Sequence, residues 1–259
     1  MEGKMAKDTW NIMRLKGGSS RRNAANFIGP EHDGEPYDVP FWFFAVWNDE
    51  HKIIVDTTAG EDEHLWYTDV PNIILPEEKL PVQIKNALGW DMEDVDIVIN
   101  THLHWDHTGY NKAFPNATFY VQREEYEYGI NYGMEPGFPL FYKKDNFDKT
   151  AVPYHRWHFA EGEEQILPGL MLIPVRGHGK APQMVLVSTE SGEACITGDA
   201  VNTMYSLEND YLTPAMMDPD GQLEAYKKVR QIAEFCITSH DLQDEKCYDH
   251  QTGGWPELR

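Results

Sequence analysis

Four side chains that can bind a metal ion lie within six residues of one another in the first half of the chain: His102, His104, Asp106 and His107. They follow the apolar run 95–99, which predicts a buried strand that leads into a loop. Imidazole and carboxylate groups are the ligands that suit zinc and its first-row neighbours. The stretch contains no cysteine, so the pattern does not indicate a closed structural thiolate site.

The spacing of these residues predicts more than one ion. Side chains two positions apart in an extended segment point the same way, so His102 and His104 can bind one ion together. A following helix would swing Asp106 and His107 aside, towards a second ion. Four ligands exceed the need of one tetrahedral ion but do not complete two coordination shells. We therefore expect further ligands elsewhere in the chain.

Three predicted strands in the second half of the chain each lead to another residue that can bind a metal. The strands at 170–175, 193–197 and 235–239 are followed by His178, Asp199 and His240. In open α/β sheets, ligand sites gather beyond the carboxyl ends of strands, so we expect the four strand ends to meet at one edge. Each residue alone is equally well explained as an ordinary strand-end residue. Together they predict a shared metal site.

The elements around these residues alternate between strand and helix. Two antiparallel strands are predicted at 41–47 and 51–56, joined by a turn at Asn48. Asp56 closes the second strand, where it either accepts a hydrogen bond from a metal-bound histidine or caps a turn. The other predicted elements are a helix at 79–88 ended by Gly89, a strand at 118–122, a helix at 123–130 and an amphipathic helix at 222–235.

An aromatic segment interrupted by glycine and proline runs from Tyr126 to Phe159. It is too irregular for a plain helix and too apolar for a solvated loop. One interpretation is a lid over a pocket that takes an apolar part of the substrate. The alternatives are packing in the core and contact between two copies of the chain in a homodimer.

Length and composition are those of a globular α/β protein. At 259 residues the chain can form one large domain or two fused halves with a substantial core. Hydrophobic residues make up 41% and charged residues 25%, and no apolar run approaches the ~20 residues of a membrane span. Residues 1–16 lack the apolar core of a signal peptide. Three cysteines without metal-type spacing, Cys195, Cys236 and Cys247, fit a reducing compartment, so we expect a cytoplasmic location.

The net charge of −21 argues against a polyanionic substrate. Nucleic-acid binding relies on clustered Lys and Arg, whereas here 22 basic residues are outnumbered by 43 acidic ones without a basic stripe. The acidity is that of a solvated surface that favours solubility, with attraction of cations as the alternative. We therefore expect a small-molecule substrate, with neither nucleic acid nor a membrane as a partner.

The seven residues named above resemble, in type and order, the metal motif of the metallo-β-lactamase superfamily. They are His102, His104, Asp106, His107, His178, Asp199 and His240. The resemblance spans about 41–241 and implies an α/β fold of four layers, an αβ/βα sandwich. It would be a single domain of two similar halves, about 1–150 and 151–259. Within the superfamily the chain looks most like the N-acyl homoserine lactonases, through the runs 55–57, 108–114 and 120–126.

The resemblance also implies how the ligands are shared. One ion would be held by His102, His104 and His178 and the other by Asp106, His107 and His240, with Asp199 bridging both. Two such ions, ~3.5–4 Å apart, can share a hydroxide that attacks a carbonyl group. One ion would then stabilise the tetrahedral oxyanion, while Asp106, or a water near it, passes a proton to the departing alkoxide.

The chain departs from the lactonase pattern at three places. Those lactonases usually carry a tyrosine three residues after the bridging aspartate, where this chain has Asn202. The donor to the substrate carbonyl oxygen is then Asn202, Tyr205 or Tyr211. The run 179–182 lacks a second histidine, and Thr58 stands where glycine usually follows Asp-Thr. The last two changes remove no ligand but alter the pocket.

These observations predict a metal-dependent hydrolase that opens a lactone ring on a substrate with an apolar or aromatic portion. The expected cofactors are two divalent metal ions, zinc first, with Fe, Mn or Co as alternatives. Hydrolysis of a thioester, another ester or an amide is the main alternative function. An iron-dependent oxidoreductase and a non-catalytic metal-binding protein are the others. Seven ligands leave coordination positions open on two ions, whereas a storage or structural site normally has all its positions filled, which argues against the non-catalytic alternative.

Overall fold

Two β-sheets form the centre of the structure, a computed structural model that describes residues 9–61, 72–132 and 141–242. The strands of the first sheet are β1 (Asn11–Asn23), β2 (Pro36–Trp47), β3 (Lys52–Val55), β4 (Asn72–Ile73), β5 (Ile97–Ile99), β6 (Thr118–Gln122) and β7 (Trp157–Ala160). Those of the second are β8 (Glu164–Leu167), β9 (Leu170–Pro174), β10 (Gln183–Thr189), β11 (Gly192–Ile196) and β12 (Phe235–Ile237). Their spatial order is β4-β1-β2-β3-β5-β6-β7 in the first sheet and β12-β11-β10-β9-β8 in the second.

The α-helices lie in the segments that connect these strands. In the described part of the chain they are α1 (Ala25–Ile28), α2 (Leu80–Leu88), α3 (Trp105–Thr108), α4 (Arg123–Tyr132), α5 (Met204–Asn209) and α6 (Pro219–Ile232). α2 ends as predicted at Gly89, whose φ of 72° lies in the left-handed region that glycine adopts without strain. α6 begins three residues earlier than predicted, because the Asp218 side chain accepts from the N–H of Gly221 and Pro219 fits the first turn.

Three buried apolar clusters separate four layers. The first joins Ile84 of α2 to Phe43 on the outer face of the first sheet. The second joins the two sheets, with Phe44 and Val185 among its members. The third joins the far face of the second sheet to Val229 of α6. Helices, sheet, sheet and helices thus follow one another, which is the αβ/βα sandwich that was predicted.

The predicted antiparallel strand pair at 41–47 and 51–56 is confirmed. β2 pairs antiparallel with β3, with Phe44 opposite Val55. β2 reads as a continuous apolar run because its side chains are buried on both faces of the sheet. β3 then pairs parallel with β5, with Val55 opposite Ile99, so Asp56 and the loop after β5 lie at the same edge of the first sheet.

The second sheet presents three strand ends at one edge. β10 pairs antiparallel with both β9 and β11, and β12 pairs parallel with β11. β9, β11 and β12 therefore run in the same direction, and their carboxyl ends lie together. The residues that follow these strands include His178, Asp199 and His240, as the sequence predicted.

In the described part of the aromatic segment, most of the rings pack in the core. Tyr142 and Phe147 are buried in the first apolar cluster. Trp157–Ala160 form β7, which pairs parallel with β6 and places Trp157 against Phe119 with their ring centroids 5.2 Å apart. The lid interpretation is therefore wrong for these residues, because their rings fill the space between α4 and the sheet. Residues 133–140, which include Phe138, lie outside the described residues.

Several predictions concern the chain as a whole. β7 lies beyond residue 150 and yet belongs to the first sheet, and the division into two similar halves stays a prediction. Cys195 and Cys236 are buried and are not joined by a disulfide bond, and Cys247 lies outside the described residues. Among the described helices, none has the length and apolar character needed to cross a bilayer. The cytoplasmic location and the homodimer stay predictions.

Candidate metal centre

The motif at 102–107 lies where the chain leaves β5 at the edge of the first sheet. β5 ends at Ile99, and α3 begins at Trp105 with His104 in extended conformation at its N-terminal cap. Oγ1 of Thr108 donates to the carbonyl of His104 at 2.9 Å, which ties the last residue of this short helix to its N-terminal cap. The helix directs Asp106 and His107 towards His240, but the ring centroid of His107 still lies 4.1 Å from that of His102, so the predicted separation of the two pairs is incomplete.

Histidines from both sheets meet at this edge. The ring centroid of His102 lies 4.4 Å from that of His104 and 5.0 Å from that of His178. On the other side, the rings of His107 and His240 are 5.7 Å apart. All five rings are almost completely buried, so the sandwich encloses them rather than displaying them on the surface.

Asp199 lies between the two groups of histidines. Its Oδ2 is 3.1 Å from Nε2 of His178. Its Oδ1 is 3.2 Å from Nε2 of His107 and 3.1 Å from Nε2 of His240. Asp106 lies farther out, with Oδ2 3.8 Å from Nε2 of His240. A carboxylate with one oxygen directed to each group is the arrangement expected of a ligand that bridges two ions.

The donor atoms form three overlapping groups, in each of which all members lie within 4.8 Å of one another. The groups are His102, His104 and His178; His102, His107 and Asp199; and Asp106, His107 and His240. The first and third groups match the two ligand sets that the resemblance implies. The assignment of each residue to a particular ion stays a prediction.

Several buried polar atoms at this site have no hydrogen-bond partner. Atoms of this kind indicate whether the residues could bind a cation. These atoms are Nε2 of His102, Nε2 of His107, Nδ1 of His178 and Oδ1 of Asp199. The short distances from Asp199 Oδ1 to two histidines therefore do not satisfy it as hydrogen bonds would. Each unsatisfied buried group costs about 1–3 kcal/mol, so a cluster of them is unfavourable unless they bind something else. Lone pairs on nitrogen and carboxylate oxygen fit a divalent metal ion.

The pKa values of the histidines shift in opposite directions on the two sides. Burial, reinforced by the neighbouring imidazoles, holds the pKa of His102 and of His104 well below its usual value. Burial opposes the charged form of His107 as well, but the carboxylates of Asp56 and Asp199 raise its pKa well above the usual value. Burial raises the pKa of Asp199, yet His240, His178 and His107 hold it well below the usual range. Burial thus disfavours the charged form of the imidazoles on the first side, whereas neighbouring carboxylates favour it at His107 on the second.

Asp56 forms the contact with a histidine that one of its two predicted interpretations requires. Its Oδ2 lies 2.7 Å from Nδ1 of His107, and both groups are buried. Asp56 also accepts from Thr101, with Oδ1 2.8 Å from the backbone nitrogen and Oδ2 2.7 Å from Oγ1. Its φ of 59° lies in the left-handed region, which is strained for a residue with a Cβ. This contact turns Nε2 of His107 towards the centre of the site.

His240 is oriented by a backbone group from the first sheet. Its Nδ1 lies 2.8 Å from the carbonyl oxygen of Pro40 in β2. A carbonyl can only accept, so this contact places a proton on Nδ1 and leaves Nε2 free to bind a metal. The two sheets are therefore joined directly at one of the predicted ligands.

A cavity of about 200 Å³ opens beside the cluster. His104, Asp106, His178, Asp199 and His240 form its polar end. Its apolar wall consists of Phe27, Val39, Phe41, Trp105 and Phe141. Phe41 and Trp105 meet edge to face with their ring centroids 5.3 Å apart. The cavity can therefore hold a polar reacting group against these His and Asp side chains and an apolar group against the aromatic wall.

The three candidates for the carbonyl-oxygen donor lie in different surroundings. Asn202 lines the cavity, and its Nδ2 donates to Oδ2 of Asp199 at 3.4 Å. The hydroxyl of Tyr205 bonds Oε1 of Glu31 at 3.3 Å, and the hydroxyl of Tyr211 donates to the carbonyl of Ala25. Neither tyrosine lines the cavity. The geometry therefore favours Asn202, and the role itself stays a prediction.

Sequence reasoning missed the part of the cavity wall that comes from β1, β2 and the segment between them. This part includes Arg22, Asn26, Phe27 and Val39. A signal was present: Tyr37, Val39 and Phe41 recur at every second position, which is the spacing of one face of a strand. The predicted strand began at residue 41 and therefore left the start of β2 out.

The chain matches a known protein family over most of its length. The family model of the metallo-beta-lactamase superfamily matches residues 38–237. The chain belongs to this superfamily. Members of the superfamily called N-acyl homoserine lactonases are among its relatives, so the predicted resemblance is confirmed.

Two relatives and one solved structure illustrate the similarity. N-acyl homoserine lactonase AiiA of Bacillus thuringiensis subsp. kurstaki is 30% identical over 226 residues, which cover 82% of this chain and 86% of the relative. N-acyl homoserine lactonase AttM of Azorhizobium caulinodans is 30% identical over 248 residues, or 89% and 92%. A structure of N-acyl homoserine lactone hydrolase, with the product N-hexanoyl-L-homoserine bound at its catalytic metal centre, has a TM-score of 0.78 at 23% identity, covering 93% of this chain and 98% of that one. The predictions of the fold and of a hydrolase of this superfamily are confirmed.

Proposed function

We propose that this protein is a lactonase that uses two divalent metal ions to open the ring of a lactone carrying an apolar portion, with N-acyl homoserine lactones as the first candidates. The relatives AiiA and AttM are named as lactonases of that substrate class. The substrate itself is a small molecule, in keeping with a cavity of about 200 Å³. Zinc is the expected metal, with Fe, Mn or Co as alternatives that the same ligands accept.

The ligands for the two ions are the seven residues that converge at the sheet edges. His102, His104 and His178 would hold one ion, Asp106, His107 and His240 the other, and Asp199 both. Divalent ions bound there would supply Lewis-acid activation of water and of the substrate carbonyl at neutral pH. The unsatisfied atoms on four of these side chains support this assignment.

The other steps fall to side chains that line the cavity. Asp106 is the residue we expect to pass a proton to the alkoxide that leaves when the ring opens, because its carboxyl group faces the cavity and is partly accessible. Asn202 is the expected donor to the carbonyl oxygen. Its amide nitrogen carries two hydrogens, so the bond to Asp199 leaves a second one for the substrate.

The aromatic wall would bind the apolar portion of the substrate. Phe41, Trp105 and Phe141 lie beside the predicted ligands, and the ring of Phe141 is 5.2 Å from that of His104. Burying an acyl chain there removes it from water and fixes the carbonyl group at the polar end.

One observation carries the proposal: seven side chains from two sheets converge beside a cavity with an aromatic wall, and four of them carry a buried atom without a hydrogen-bond partner. The test is an assay of the zinc-loaded protein against N-acyl homoserine lactones of different chain length, a simple lactone, an ester and a thioester. Mass spectrometry would detect the ring-opened hydroxy acid, and an Asp199→Asn variant serves as the inactive control. Turnover of lactones in preference to the open-chain esters is expected. Inactivity on every lactone with both ions bound would overturn the proposal.

A further inference from the structure

Glu125 is a completely buried carboxylate that none of the steps above uses. It lies in the first turn of α4, in the helical layer behind the first sheet. Burial raises the pKa of its carboxyl group, against the effect of the backbone N–H groups of Ala181 and Leu103. A buried carboxylate costs folding free energy unless its surroundings supply donors, so the donors that it has are informative.

The two oxygens of Glu125 bind two different loops. Oε1 accepts from the backbone N–H of Leu103 at 3.1 Å. Oε2 accepts from the backbone N–H of Ala181 at 2.8 Å. Leu103 stands between two predicted metal ligands of the first sheet, and Ala181 belongs to the loop that carries the third. One carboxylate therefore links loops from two different sheets.

Close packing holds the carboxylate in this position. A Cβ at Gly179 would lie 3.3 Å from Oε2 of Glu125 and 3.4 Å from the hydroxyl of Tyr142. That hydroxyl also accepts from the backbone N–H of Lys180 at 3.4 Å. The loop after His178 thus fits against Glu125 over several consecutive residues, and the absence of a side chain at Gly179 allows the approach.

We propose that Glu125 is a positioning residue that fixes His102 and His104 relative to His178 and thereby sets the affinity of that one metal subsite. The inference rests on the proposed function only in that the three histidines bind an ion. Their group is one of the three whose donor atoms lie within 4.8 Å of one another, and Glu125 touches the backbone on both sides of it.

The effect should be confined to this subsite because the other has its own supports. His107 is held by Asp56 at 2.7 Å. His240 is held by the carbonyl of Pro40 at 2.8 Å. Neither contact involves α4 or the loop after His178. Loss of the Glu125 bridge should therefore weaken the binding of one ion and leave the binding of the other unchanged.

The test compares Glu125→Gln with Glu124→Gln in the full, zinc-loaded protein. Glutamine keeps the shape of the side chain but presents an NH2 group to one of the two N–H donors, so one bridge bond is lost. Glu124 is the matched control, because it lies on the same helix but forms surface ion pairs with Arg176 and Lys180. Zinc retained per chain is measured at increasing chelator concentration, together with kcat, KM and the thermal unfolding of the chelator-treated protein.

The proposal predicts that Glu125→Gln releases one of its two zinc ions at about 10–100-fold lower chelator concentration than the native protein. The second ion and the unfolding temperature of the chelator-treated protein should match those of Glu124→Gln. Excess zinc should restore kcat with KM unchanged. Retention of both ions as in the control, or equal weakening of both together with a lower unfolding temperature, would overturn it.

Two further arms keep the outcome decisive. If Glu125→Gln does not fold, Glu125→Asp replaces it, because aspartate keeps the charge but is one methylene too short to reach both loops. The same selective loss of one ion is then expected, and retention of both ions would overturn the proposal. A native protein that binds two ions but opens no lactone would refute the proposed function and leave this inference standing.

Discussion

Nδ1 of His107 lies 2.7 Å from Oδ2 of Asp56, at the carboxyl ends of two adjacent parallel strands. The pairing of Val55 with Ile99 sets this relationship, because it fixes where β3 and β5 end relative to each other. The sheet register thus places the Asp56 carboxylate where it orients the His107 imidazole.

Asp56→Asn should weaken zinc binding by about 10–100-fold, because an amide cannot both accept from Thr101 and fix the ring of His107 as a carboxylate does. Competition with a coloured chelator would measure the change. Asp38→Asn is a suitable control, since Asp38 forms a surface ion pair with Arg21. Unchanged zinc affinity in Asp56→Asn would contradict the orienting role.

Asn202→Ala should lower kcat by about 100-fold with little change in KM, if its amide donates to the developing oxyanion. Tyr205→Phe should leave kcat unchanged, because the Tyr205 hydroxyl bonds Glu31 outside the cavity. Steady-state kinetics on one lactone would separate the two. The opposite pattern would transfer the role to Tyr205.

Thr58→Gly should stabilise the protein by about 1 kcal/mol. Thr58 has a φ of 50°, and its buried Oγ1 has no hydrogen-bond partner. Removing the backbone strain of a threonine in the left-handed region should gain about 1–3 kcal/mol, and removing its unpaired buried hydroxyl about 1–3 kcal/mol. The conformational entropy of glycine opposes this by ~1 kcal/mol, and the methyl group's packing is lost as well.

Thermal unfolding should show a Tm about 2–4 °C higher for Thr58→Gly. The neighbouring Thr57→Gly is the control and should lower Tm, because the Thr57 hydroxyl donates to Oδ1 of Asn111 at 2.8 Å. A lower Tm for both variants would show that side-chain packing at Thr58 outweighs the strain.

Phe141→Ala should raise KM about tenfold for lactones with a long apolar chain. Removing the aromatic ring takes away at most about 1.5–3 kcal/mol of the binding free energy of such a chain. Lactones without a chain should be affected little. Tyr154→Ala, which removes an aromatic residue that is 60% exposed in the same segment, is the control. An equal effect on long and short substrates would argue against the aromatic wall as the acyl site.

The sequence predicted the strand ends and the ligands because both depend on local patterns. The apolar run before His102 predicts a buried strand, and the metal-capable residues that follow it mark where the strand ends. The same holds for the strands that lead to His178 and Asp199.

The cavity wall and the bridge at Glu125 were not predicted because they depend on which distant segments meet. Glu125 lies in an acidic helical stretch, and the neighbouring residues in the sequence do not indicate that its side chain is buried. Its partners, Leu103 and Ala181, donate backbone N–H groups that every residue type except proline would offer. The aromatic segment was misjudged for a similar reason, since Tyr142 and Trp157 find their partners on α4 and β6.

The central claim is that two metal ions held by these seven side chains are needed for lactone opening. The most direct measurement is elemental quantification of zinc per chain, in parallel with lactone turnover, as the metal is removed stepwise and restored. The account predicts about two ions per chain at full turnover, with activity lost and regained together with them. Full turnover with fewer than two ions per chain would contradict it.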